Sequence, residues 1–494
     1  MTFHVSLVGR KDLGGEIYRQ IRRAILSGIL RPGDSLPPTR ELARTLAVSR
    51  ATVTVAYERL AGDGFVTSRL GAGTFVGEWG RRPGRETRRG KPDGALRPRS
   101  IWKSIALPTA FEHPARFDFR TGFPDASLLP DRTWRRHLAR ALRSRDVVAG
   151  GYGHPAGHPG LRAAISRHIA ASRGVVASMN DVVITSGTQQ ALDVLARVLL
   201  APGETIAVED PGYAPARRLF RALGIDVIGA PVDRDGLVVD ALTRRIRAVY
   251  VTPSHQYPLG MAMTLQRRQA LLAWAEQNNA AIIEDDYDGE FRFGGRPLEP
   301  LQTLDASGRV IYVGSFSKTI SPALRLGFLV APRSLRSALH KAKFVTDWHS
   351  SILAQVALSS FIDEGGFARH IRRTRAIYGE RHVLLAGAIV QDFADFLEII
   401  PSNTGLHLAA LARSASVDRI SEIARSAADR GVAIQTLSTF AVSGSGRAGV
   451  VLGYGAIATR QIDEGLRRLL ACFCAVGADL KRRAVREVPR AKAP

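Results

Sequence analysis

Hydrophobic residues recur at helical spacing in three short segments near the start of the chain, and this spacing predicts three helices. Gly28 can end the first helix, and a turn over residues 31–34 leads to the second, for which Thr39 is a possible cap. Ala47 and Val48 form a tight connection to the third helix, which Ser49 can cap. The apolar positions that define the three faces are Ile17, Ile21, Ala24 and Ile25; Leu42, Ala43 and Leu46; and Val53, Ala56, Tyr57 and Leu60.

The third helix and the segment after it have the pattern of a DNA-binding module. Arg50, Thr52 and Thr54 face outward near the start of this helix, where a helix-turn-helix presents its recognition residues to the major groove. Two short strands, 65–67 and 74–76, flank a turn whose Gly71 and Gly73 allow close backbone approach to DNA. Any three short helices can show such spacing by chance. Here the order of the helices, the turn between them and the hairpin after them all occur together. Residues 1–78 are therefore predicted to form a winged helix-turn-helix domain.

Strand-length apolar runs alternate with helical patterns after about Phe117. Nearly continuous apolar strands are typical of a largely parallel sheet that helices cover on both faces, as in α/β proteins. Ligands of such sheets bind at the carboxyl ends of the strands. The predicted strands are Val182–Thr185, Ile206–Val208, Val227–Gly229, Val249–Val251, Ala281–Ile283, Ile311–Val313 and Phe328–Val330.

Chemically distinctive residues follow four of these strands. Gly187 and Thr188 open a helix after the first strand, where free N–H groups favour a phosphate. Asp285 ends an apolar strand, and a buried carboxylate requires a cation or a hydrogen-bond donor. Lys318 follows Ser315 and Ser317, and Arg325 comes seven residues later, so hydroxyls and cations can hold a phosphate and form a Schiff base there. Tyr213 also follows a strand. A single lysine is usually exposed at the surface, and a single aromatic residue usually only packs against its neighbours. The four groups of residues together, each at the end of a strand, indicate a cofactor site.

Charge and composition narrow the class of protein. The chain has 494 residues with 69 basic and 45 acidic side chains, and the net charge of +24 indicates an anionic partner such as nucleic acid. The excess is +4 in residues 1–78, +6 in 79–115 and +4 in 472–494. We expect 79–115 to be a basic flexible linker, mobile near 80–100, followed by a domain at 116–475 and a basic tail at 476–494 that is frayed from Lys481.

Cysteine count and hydropathy indicate a reduced, intracellular protein. The two cysteines, Cys472 and Cys474, cannot make a disulfide framework or a four-ligand zinc site, so no metal is expected. No apolar run reaches the roughly 18 residues of a transmembrane helix. We expect a cytoplasmic location with no membrane association.

Residues 18–76 closely resemble the winged helix of the GntR family of regulators, including the segments 37–43 and Ser49-Arg50. The resemblance implies a double-stranded DNA operator as partner. It also implies DNA-contacting residues, namely Arg40, Ser49, Arg50, Thr52, Arg69 and, at the wing tip, Gly71. Thr54 stands where the family can carry a further arginine, which implies a different operator preference.

Residues 116–472 closely resemble the fold-type I aminotransferases, which implies an α/β domain that binds pyridoxal 5′-phosphate. By this resemblance Lys318 forms the Schiff base, Asp285 binds the pyridine nitrogen, Tyr213 stacks on the ring and Tyr287 bonds the phenolic oxygen. The phosphate is implied to be held by Gly187, Thr188, Ser315 and Arg325, and by Tyr152 from the neighbouring subunit of a homodimer.

Departures from ordinary aminotransferases make the chain more similar to the MocR/PdxR group of GntR regulators. Tyr257 occupies the position of the asparagine in the usual Asn-Pro-Thr-Gly motif, and residues 119–125 and 209–213 also match that group. Val450–Leu452 lie where aminotransferases place the arginine that binds the substrate α-carboxylate, and Arg447 is out of register. Pro215 replaces the arginine of the γ-aminobutyrate-responsive subset, and Arg217 comes later.

The expected function is a transcriptional regulator whose DNA binding depends on pyridoxal 5′-phosphate, alone or with an amino compound. Without a placed guanidinium an amino acid loses a bidentate contact, so efficient transamination and a γ-aminobutyrate-type effector are not favoured. One alternative is an aminotransferase with an accessory DNA-binding domain. Another is an architectural DNA-binding protein whose second domain has no cofactor.

Overall fold

The computed structural model describes residues 5, 12–69, 72–77, 96–105, 107, 115–148, 150–294, 299–442 and 446–486. Its contacts divide the chain into two units, Met1–Pro98 and Arg99–Pro494. The expected mobile stretch near 80–100 lies mostly outside the described residues. Within the expected linker, the described part includes one short helix, α4 (Ile101–Ser104).

The first unit contains three helices and a three-stranded sheet. The elements are α1 (Leu13–Leu26), β1 (Ser35–Leu36), α2 (Thr39–Thr45), α3 (Arg50–Gly62), β2 (Val66–Arg69) and β3 (Gly73–Val76). The sheet order is β1-β3-β2, and β2 and β3 pair antiparallel as the predicted hairpin. The apolar faces predicted for the three helices meet in one core, in which Ile17, Val53 and Leu60 are fully buried.

Of the two capping residues predicted for these helices, one is confirmed and one is wrong. Ser49 caps α3, and its hydroxyl accepts a hydrogen bond from the Thr52 N–H at 3.1 Å. Thr39 does not cap α2: it is the first residue of the helix, and the capping position belongs to Pro38. The Pro38 carbonyl accepts hydrogen bonds from the N–H groups of Glu41 and Leu42, and the proline ring fixes the φ angle that the chain needs before the first turn.

The second unit is built around an eight-stranded sheet with the order β5-β12-β11-β10-β9-β6-β7-β8. Its strands are β5 (Val182–Thr185), β6 (Thr205–Asp210), β7 (Asp226–Asp233), β8 (Gly236–Leu237), β9 (Ile246–Val251), β10 (Ala281–Asp286), β11 (Val310–Ser315) and β12 (Gly327–Val330). All seven predicted strands are present, and each lies at or within the observed bounds. The five central strands are parallel, whereas β12 runs antiparallel between β11 and β5.

Helices cover this sheet, and a smaller sheet follows it in the chain. The helices up to the end of the large sheet are α5 (Asp131–Ala141), α6 (Arg145–Val148), α7 (Pro159–Arg173), α8 (Thr188–Leu199), α9 (Ala214–Ala222), α10 (Leu265–Gln277) and α11 (Leu301–Leu304). Those after it are α12 (Arg336–Asp347), α13 (Ile352–Asp363), α14 (Gly366–Gln391), α15 (Val417–Asp429) and α16 (Ile462–Arg486). The remaining strands are β4 (Phe117–Asp118), β13 (Leu397–Ile399), β14 (His407–Ala412), β15 (Val432–Ala433), β16 (Gln435–Thr436) and β17 (Gly449–Gly453).

The end of the chain differs from expectation. Helix α16 continues to Arg486, so the prediction of a frayed tail beginning at Lys481 is wrong for residues 481–486, and the expected boundary at 475 falls inside the helix. Lysine, arginine and alanine favour helix, and each residue added to an existing helix gains a hydrogen bond. Residues 487–494 lie outside the described part. None of the helices in the described part is long and apolar enough to cross a membrane.

Candidate functional site

A cavity of about 410 Å³ opens at the carboxyl ends of the parallel strands, as expected for a sheet of this kind. Seven of the nine residues predicted to hold the cofactor line it: Lys318, Asp285, Tyr287, Tyr213, Thr188, Ser315 and Arg325. They come from the last residues of β10 and β11 and from the segments that follow β5, β6, β10 and β11, so the fold brings together residues up to 137 positions apart in sequence. Gly187 lies beside this set, and Tyr152 lies elsewhere.

One end of the cavity has the features of an anion site. Gly187 precedes α8 with a φ of 83°, and no side chain caps this helix, so its first N–H groups face the cavity beside Thr188. The guanidinium of Arg325 donates a hydrogen bond to the carbonyl of Ser186 at 2.7 Å. A Cβ on residue 187 would lie 3.1 Å from the Arg325 guanidinium, which explains why this close approach uses glycine. Ser315 ends β11 at the same cavity.

Asp285 is buried in the cavity wall with only half of its carboxylate satisfied. The Tyr250 hydroxyl donates to Oδ2 at 2.8 Å, whereas Oδ1 is buried and has no hydrogen-bond partner. Burial raises the pKa of this carboxyl to about 7, despite the Tyr250 hydrogen bond, which lowers it. An orphaned buried carboxylate oxygen requires a donor, and a protonated ring nitrogen supplies one.

The amine of Lys318 reaches into the same cavity. Its Nζ donates a hydrogen bond to the carbonyl of Gly122 at 2.6 Å. Burial lowers the pKa of this amine, and the carboxylates of Asp288 and Asp285 oppose that shift. A lowered pKa increases the fraction of the neutral, nucleophilic amine at a given pH.

Three tyrosines form an aromatic wall of the cavity. Tyr213 lies just before α9, edge-on to Tyr257 with ring centroids 5.8 Å apart. The Tyr257 hydroxyl lies 2.7 Å from the hydroxyl of Thr121, and burial raises its pKa to about 12. The Tyr287 hydroxyl donates to the carbonyl of His255 at 2.9 Å and lies 3.0 Å from Nδ1 of the same residue.

Sequence reasoning assigned no role to a buried polar group on another wall of the cavity, formed by His255, Asp288 and His407. Nδ1 of His255 lies 2.9 Å from one carboxylate oxygen of Asp288 and 3.1 Å from the other. Asp288 and His407 both line the cavity and are each 2% exposed. Potential ligand atoms of the three residues lie within 4.8 Å of one another. Asp288 could have been found from its position three residues after Asp285, but His407 lies on a distant strand and gave no local signal.

Tyr250, Gln189 and Gly122 are further lining residues to which sequence analysis assigned no function. Tyr250 sits in the predicted strand 249–251, and its one signal is a hydroxyl within an otherwise apolar run. Gly122 belongs to the segment 119–125 that carried the family resemblance.

Tyr152 does not enter the cavity of its own chain. Its side chain is 78% exposed and stacks on Trp348, with ring centroids 4.3 Å apart. Phe344 also contacts Trp348, with ring centroids 4.6 Å apart, and it is 45% exposed. These three rings form an exposed aromatic patch.

The positions that could bind a substrate carboxylate hold no guanidinium in the described structure. Val451, on β17, is fully buried in an apolar cluster with Leu259 and Phe440. Arg447 donates to the carbonyl of Val232 at 3.2 Å, and Arg217 donates to the carbonyl of Ala441 at 2.5 Å. Pro215 lines the cavity at the position discussed above. The described residues that line the cavity include one lysine, Lys318, and one arginine, Arg325.

Of the predicted DNA-binding residues that the structure describes, all but Thr52 are exposed on the first unit. Arg40 and Arg50 are exposed on α2 and α3, and Nε of Arg50 lies 3.4 Å from the Thr39 hydroxyl. Thr52 is half-buried, and its hydroxyl lies 2.8 Å from that of Ser49. Arg69 is exposed on β2, with its guanidinium 5.4 Å from the centre of the Phe75 ring. Gly71 lies outside the described residues.

Comparison with known proteins assigns both units. Residues 13–76 match the family of bacterial regulatory proteins of the gntR type, and residues 123–454 match aminotransferase class I and II. The probable rhizopine catabolism regulatory protein MocR of Rhizobium meliloti is 38% identical over 93% of this chain and 94% of its own. The pyridoxine biosynthesis transcriptional regulator PdxR of Corynebacterium glutamicum is 34% identical over 92% and 94%.

Solved structures similar to the chain are aminotransferases. The α-aminoadipate aminotransferase LysN of Thermus thermophilus, complexed with N-(5′-phosphopyridoxyl)-L-leucine, is 30% identical with a TM-score of 0.69, covering 76% of this chain and 97% of its own. A kynurenine aminotransferase of Pyrococcus horikoshii is 26% identical with the same TM-score, covering 78% and 96%.

The residues of the cavity fit pyridoxal 5′-phosphate. The orphaned oxygen of Asp285 suits a protonated pyridine nitrogen, the Lys318 amine suits an aldehyde, and Arg325 beside the free helix end suits a phosphate. The second unit is therefore a pyridoxal 5′-phosphate-binding domain, and the first is a DNA-binding winged helix. With both domains present and regulators of this architecture matching over nine-tenths of its length, the chain belongs to the MocR/PdxR group of GntR-family transcriptional regulators.

Proposed function

We propose that this regulator uses its aminotransferase-like domain as a sensor, and that pyridoxal 5′-phosphate, alone or with an amino effector, sets the affinity of the winged helices for an operator. The observation that carries the proposal is that seven predicted cofactor residues line the cavity, whereas none of its described lining residues offers a further guanidinium for a substrate carboxylate. Such a cavity can retain the cofactor yet position an amino acid poorly for turnover.

The chain's own residues each have a part in retaining the cofactor. When bound, the cofactor supplies an aldehyde that reacts with amines and a ring that withdraws electrons. Lys318 offers the amine, and Asp285 holds a proton on the ring nitrogen through its free oxygen. Arg325, Ser315 and the N-terminus of α8 bind the phosphate.

The proposed assembly is a homodimer. Tyr152 is the one predicted cofactor residue that lies away from the cavity, in the exposed aromatic patch with Trp348 and Phe344. Exposed aromatic clusters of this kind are characteristic of protein interfaces. A second subunit docked on the patch would bury it, and Tyr152 would reach the neighbouring subunit's phosphate site. A dimer would also present two winged helices to paired half-sites.

Cofactor or effector binding would act on DNA through the allosteric coupling of the two domains. A ligand that binds two arrangements of the dimer unequally shifts their populations and hence the spacing of the two recognition helices. A regulator that binds DNA in a bacterial cell would act in the cytoplasm, and we propose that location for this protein.

Footprinting on the DNA upstream of the protein's own gene tests this function. The full chain, stripped of cofactor and then reloaded, should protect a paired site, and the affinity or pattern of protection should change when pyridoxal 5′-phosphate is added. The variant Lys318→Ala should lose the visible absorption of the lysine-bound cofactor while it still binds DNA, and its protection should respond differently to added cofactor. The variant Lys341→Ala, on helix α12 and outside the cavity lining, serves as the matched control.

Two results would contradict the proposal. If Lys318→Ala shows the same footprint as the unmodified chain with and without cofactor, the sensor mechanism fails. If the loaded protein converts an amino donor and a keto acid at about 1 s⁻¹ or faster, the range of typical enzymes, it is instead an aminotransferase with an accessory DNA-binding domain.

A further inference from the structure

We infer that the cofactor cavity takes an amino compound that carries a second hydrogen-bond-donating group, a hydroxyl or an ammonium, and no carboxylate. The inference rests on the proposed function, because it specifies the chemical class of the effector that acts at the cofactor site. It is carried by the polar group of His255, Asp288 and His407.

The Asp288 carboxylate is held rigidly at the cavity wall. Both of its oxygens lie within 3.1 Å of Nδ1 of His255, which occupies a tightly packed position. A Cβ on residue 405, which is a glycine with a φ of 82°, would lie 1.9 Å from the imidazole of His255. A carboxylate can accept about four hydrogen bonds. The bond from His255 fixes its orientation and leaves accepting capacity toward the cavity that Asp288 lines.

His407 presents a second acceptor to the same cavity. Its Nε2 lies 3.1 Å from the carbonyl of Pro258, an acceptor, so Nε2 carries the hydrogen. Burial lowers the pKa of His407 well below its usual range, which keeps the ring neutral. The other ring nitrogen, Nδ1, then has a free lone pair. With Asp288 it forms a polar wall that accepts hydrogen bonds, and such a wall is complementary to a ligand that donates them.

A carboxylate has no favourable position in this cavity. Of the two basic side chains among its described lining residues, Lys318 is the cofactor amine and Arg325 belongs to the phosphate site beside Ser186. A ligand carboxylate near Asp288 would meet a like charge in a desolvated place. Val451 and Pro215, at the two positions where related sites place an arginine, offer no compensating charge.

The test uses the full chain loaded with pyridoxal 5′-phosphate and a matched set of amines. Butylamine, aminobutanol, putrescine and γ-aminobutyrate share one amine and a four-carbon spacing but differ at the far end, and homologous sets of two to five carbons cover other lengths. Binding is followed by calorimetry and by the change in visible absorption of the cofactor. At the best chain length, the amino alcohol or the diamine should bind about tenfold more tightly than the plain amine. A hydrogen bond to a charged group contributes enough binding free energy for a tenfold change in affinity. The amino acid should bind less tightly than the plain amine.

A charge-matched pair of variants assigns the preference to this wall. Asp288→Asn keeps the size of the side chain but removes its charge, and should reduce the preference for putrescine over γ-aminobutyrate about tenfold. Glu290→Gln makes the same charge change two residues away, where the side chain faces His168 at 3.6 Å outside the cavity lining, and should leave the preference unchanged. The variants are compared as ratios of affinities, which a general loss of folded protein does not alter.

The outcomes separate this inference from the proposed function. If γ-aminobutyrate binds as tightly as putrescine, if no amine binds to the loaded protein, or if the two variants behave alike, the inference is overturned. In each of these cases a footprint that still responds to pyridoxal 5′-phosphate leaves the proposed function intact. If the footprint does not respond to the cofactor, the proposed function fails on its own evidence.

Discussion

Three consecutive acidic residues at the end of β10 are all buried, but their hydrogen-bond partners differ. Both oxygens of Glu284 accept backbone hydrogen bonds, from the N–H groups of Leu301 and Gln302 at 2.9 Å. Asp286 accepts from Arg173 and from the Tyr312 hydroxyl, both at 2.6 Å. Of the three, only Asp285 has a fully buried oxygen without a hydrogen-bond partner, and Asp285 lines the cavity. Neighbouring residues of the same type therefore differ in role: two are structural, and Asp285 is the one proposed to bind the cofactor.

Substitution of these neighbours separates the two roles. Asp286→Asn should lower the free energy of unfolding of the cofactor-free protein by about 3–5 kcal/mol, because it leaves Arg173 buried without its counter-charge. Asp285→Asn should leave that free energy unchanged or raise it, because it removes an incompletely satisfied buried carboxyl whose pKa is raised to about 7. Urea unfolding of cofactor-free protein measures both.

Cofactor retention should show the reverse order. Asp285→Asn should lose pyridoxal 5′-phosphate on dialysis, since an amide does not favour a protonated ring nitrogen, whereas folded Asp286→Asn protein should retain it. Equal retention in the two variants would contradict the assignment of Asp285 to the ring nitrogen.

At the scale of the element, the start of α3 combines a helix cap with an exposed arginine that is proposed to contact DNA. Ser49 caps the helix through the Thr52 N–H, and this bond orients the first turn that displays Arg50. The free N–H groups of a helix start also favour a DNA phosphate. Ser49 and Arg50 are adjacent in sequence, but their side chains do different things. A substitution of Ser49 tests the stability of the helix, and a substitution of Arg50 tests DNA binding.

Two single variants distinguish these contributions. Ser49→Ala should lower the free energy of unfolding of the winged helix by about 1 kcal/mol, the usual contribution of a helix cap. Arg50→Ala should leave stability almost unchanged but weaken operator binding by about 1–3 kcal/mol, with reduced discrimination between operator and unrelated DNA. Binding titrations on both kinds of DNA measure this, and Arg23→Ala, an exposed arginine near the end of α1, is the control. A uniform loss on both DNAs would instead indicate a phosphate contact.

At the scale of the whole molecule, the cavity of one chain lacks a predicted component. Tyr152 is exposed in the aromatic patch and does not line its own cavity. In the proposed homodimer each site would combine Lys318 of one chain with Tyr152 of the other. This arrangement predicts that two defective chains can repair each other.

Mixing of variants tests this shared site. Tyr152→Ala and Lys318→Ala should each retain cofactor poorly when alone. When the two chains are unfolded together and refolded, mixed dimers should contain one complete site, and cofactor absorption should exceed the sum of the separate samples. If Tyr152 acts within its own chain or has no role at the site, the mixture should show no such excess. Sedimentation of each sample confirms that the mixed species has the mass of a dimer.

Much of the fold follows from local pattern, because its causes are local. Every predicted strand of the large sheet is present, since a short, nearly continuous apolar run between polar residues is typical of a strand buried on both faces of a sheet. Ser49 is a cap because its hydroxyl reaches an N–H three residues away. The two misplaced ends, at Thr39 and beyond Lys481, are also local: a proline took the capping position, and helix propagation continued through a basic segment.

The cavity wall depended on strand order and register, which no local pattern encodes. Tyr250 reaches Asp285 because β9 and β10 are parallel neighbours in which Tyr250 lies opposite Ile283, two residues before Asp285 and on the same face. His407 comes from a different sheet and meets His255 only in the folded chain, with ring centroids 4.5 Å apart. The sequence by itself determined the winged helix, the strands of the large sheet and most of the residues that line the cavity, because those signals are periodic or follow a strand end. Only the tertiary structure decided that two acceptors and no free guanidinium among the described residues face the remaining space, because contacts between distant strands depend on how the whole sheet pairs and packs.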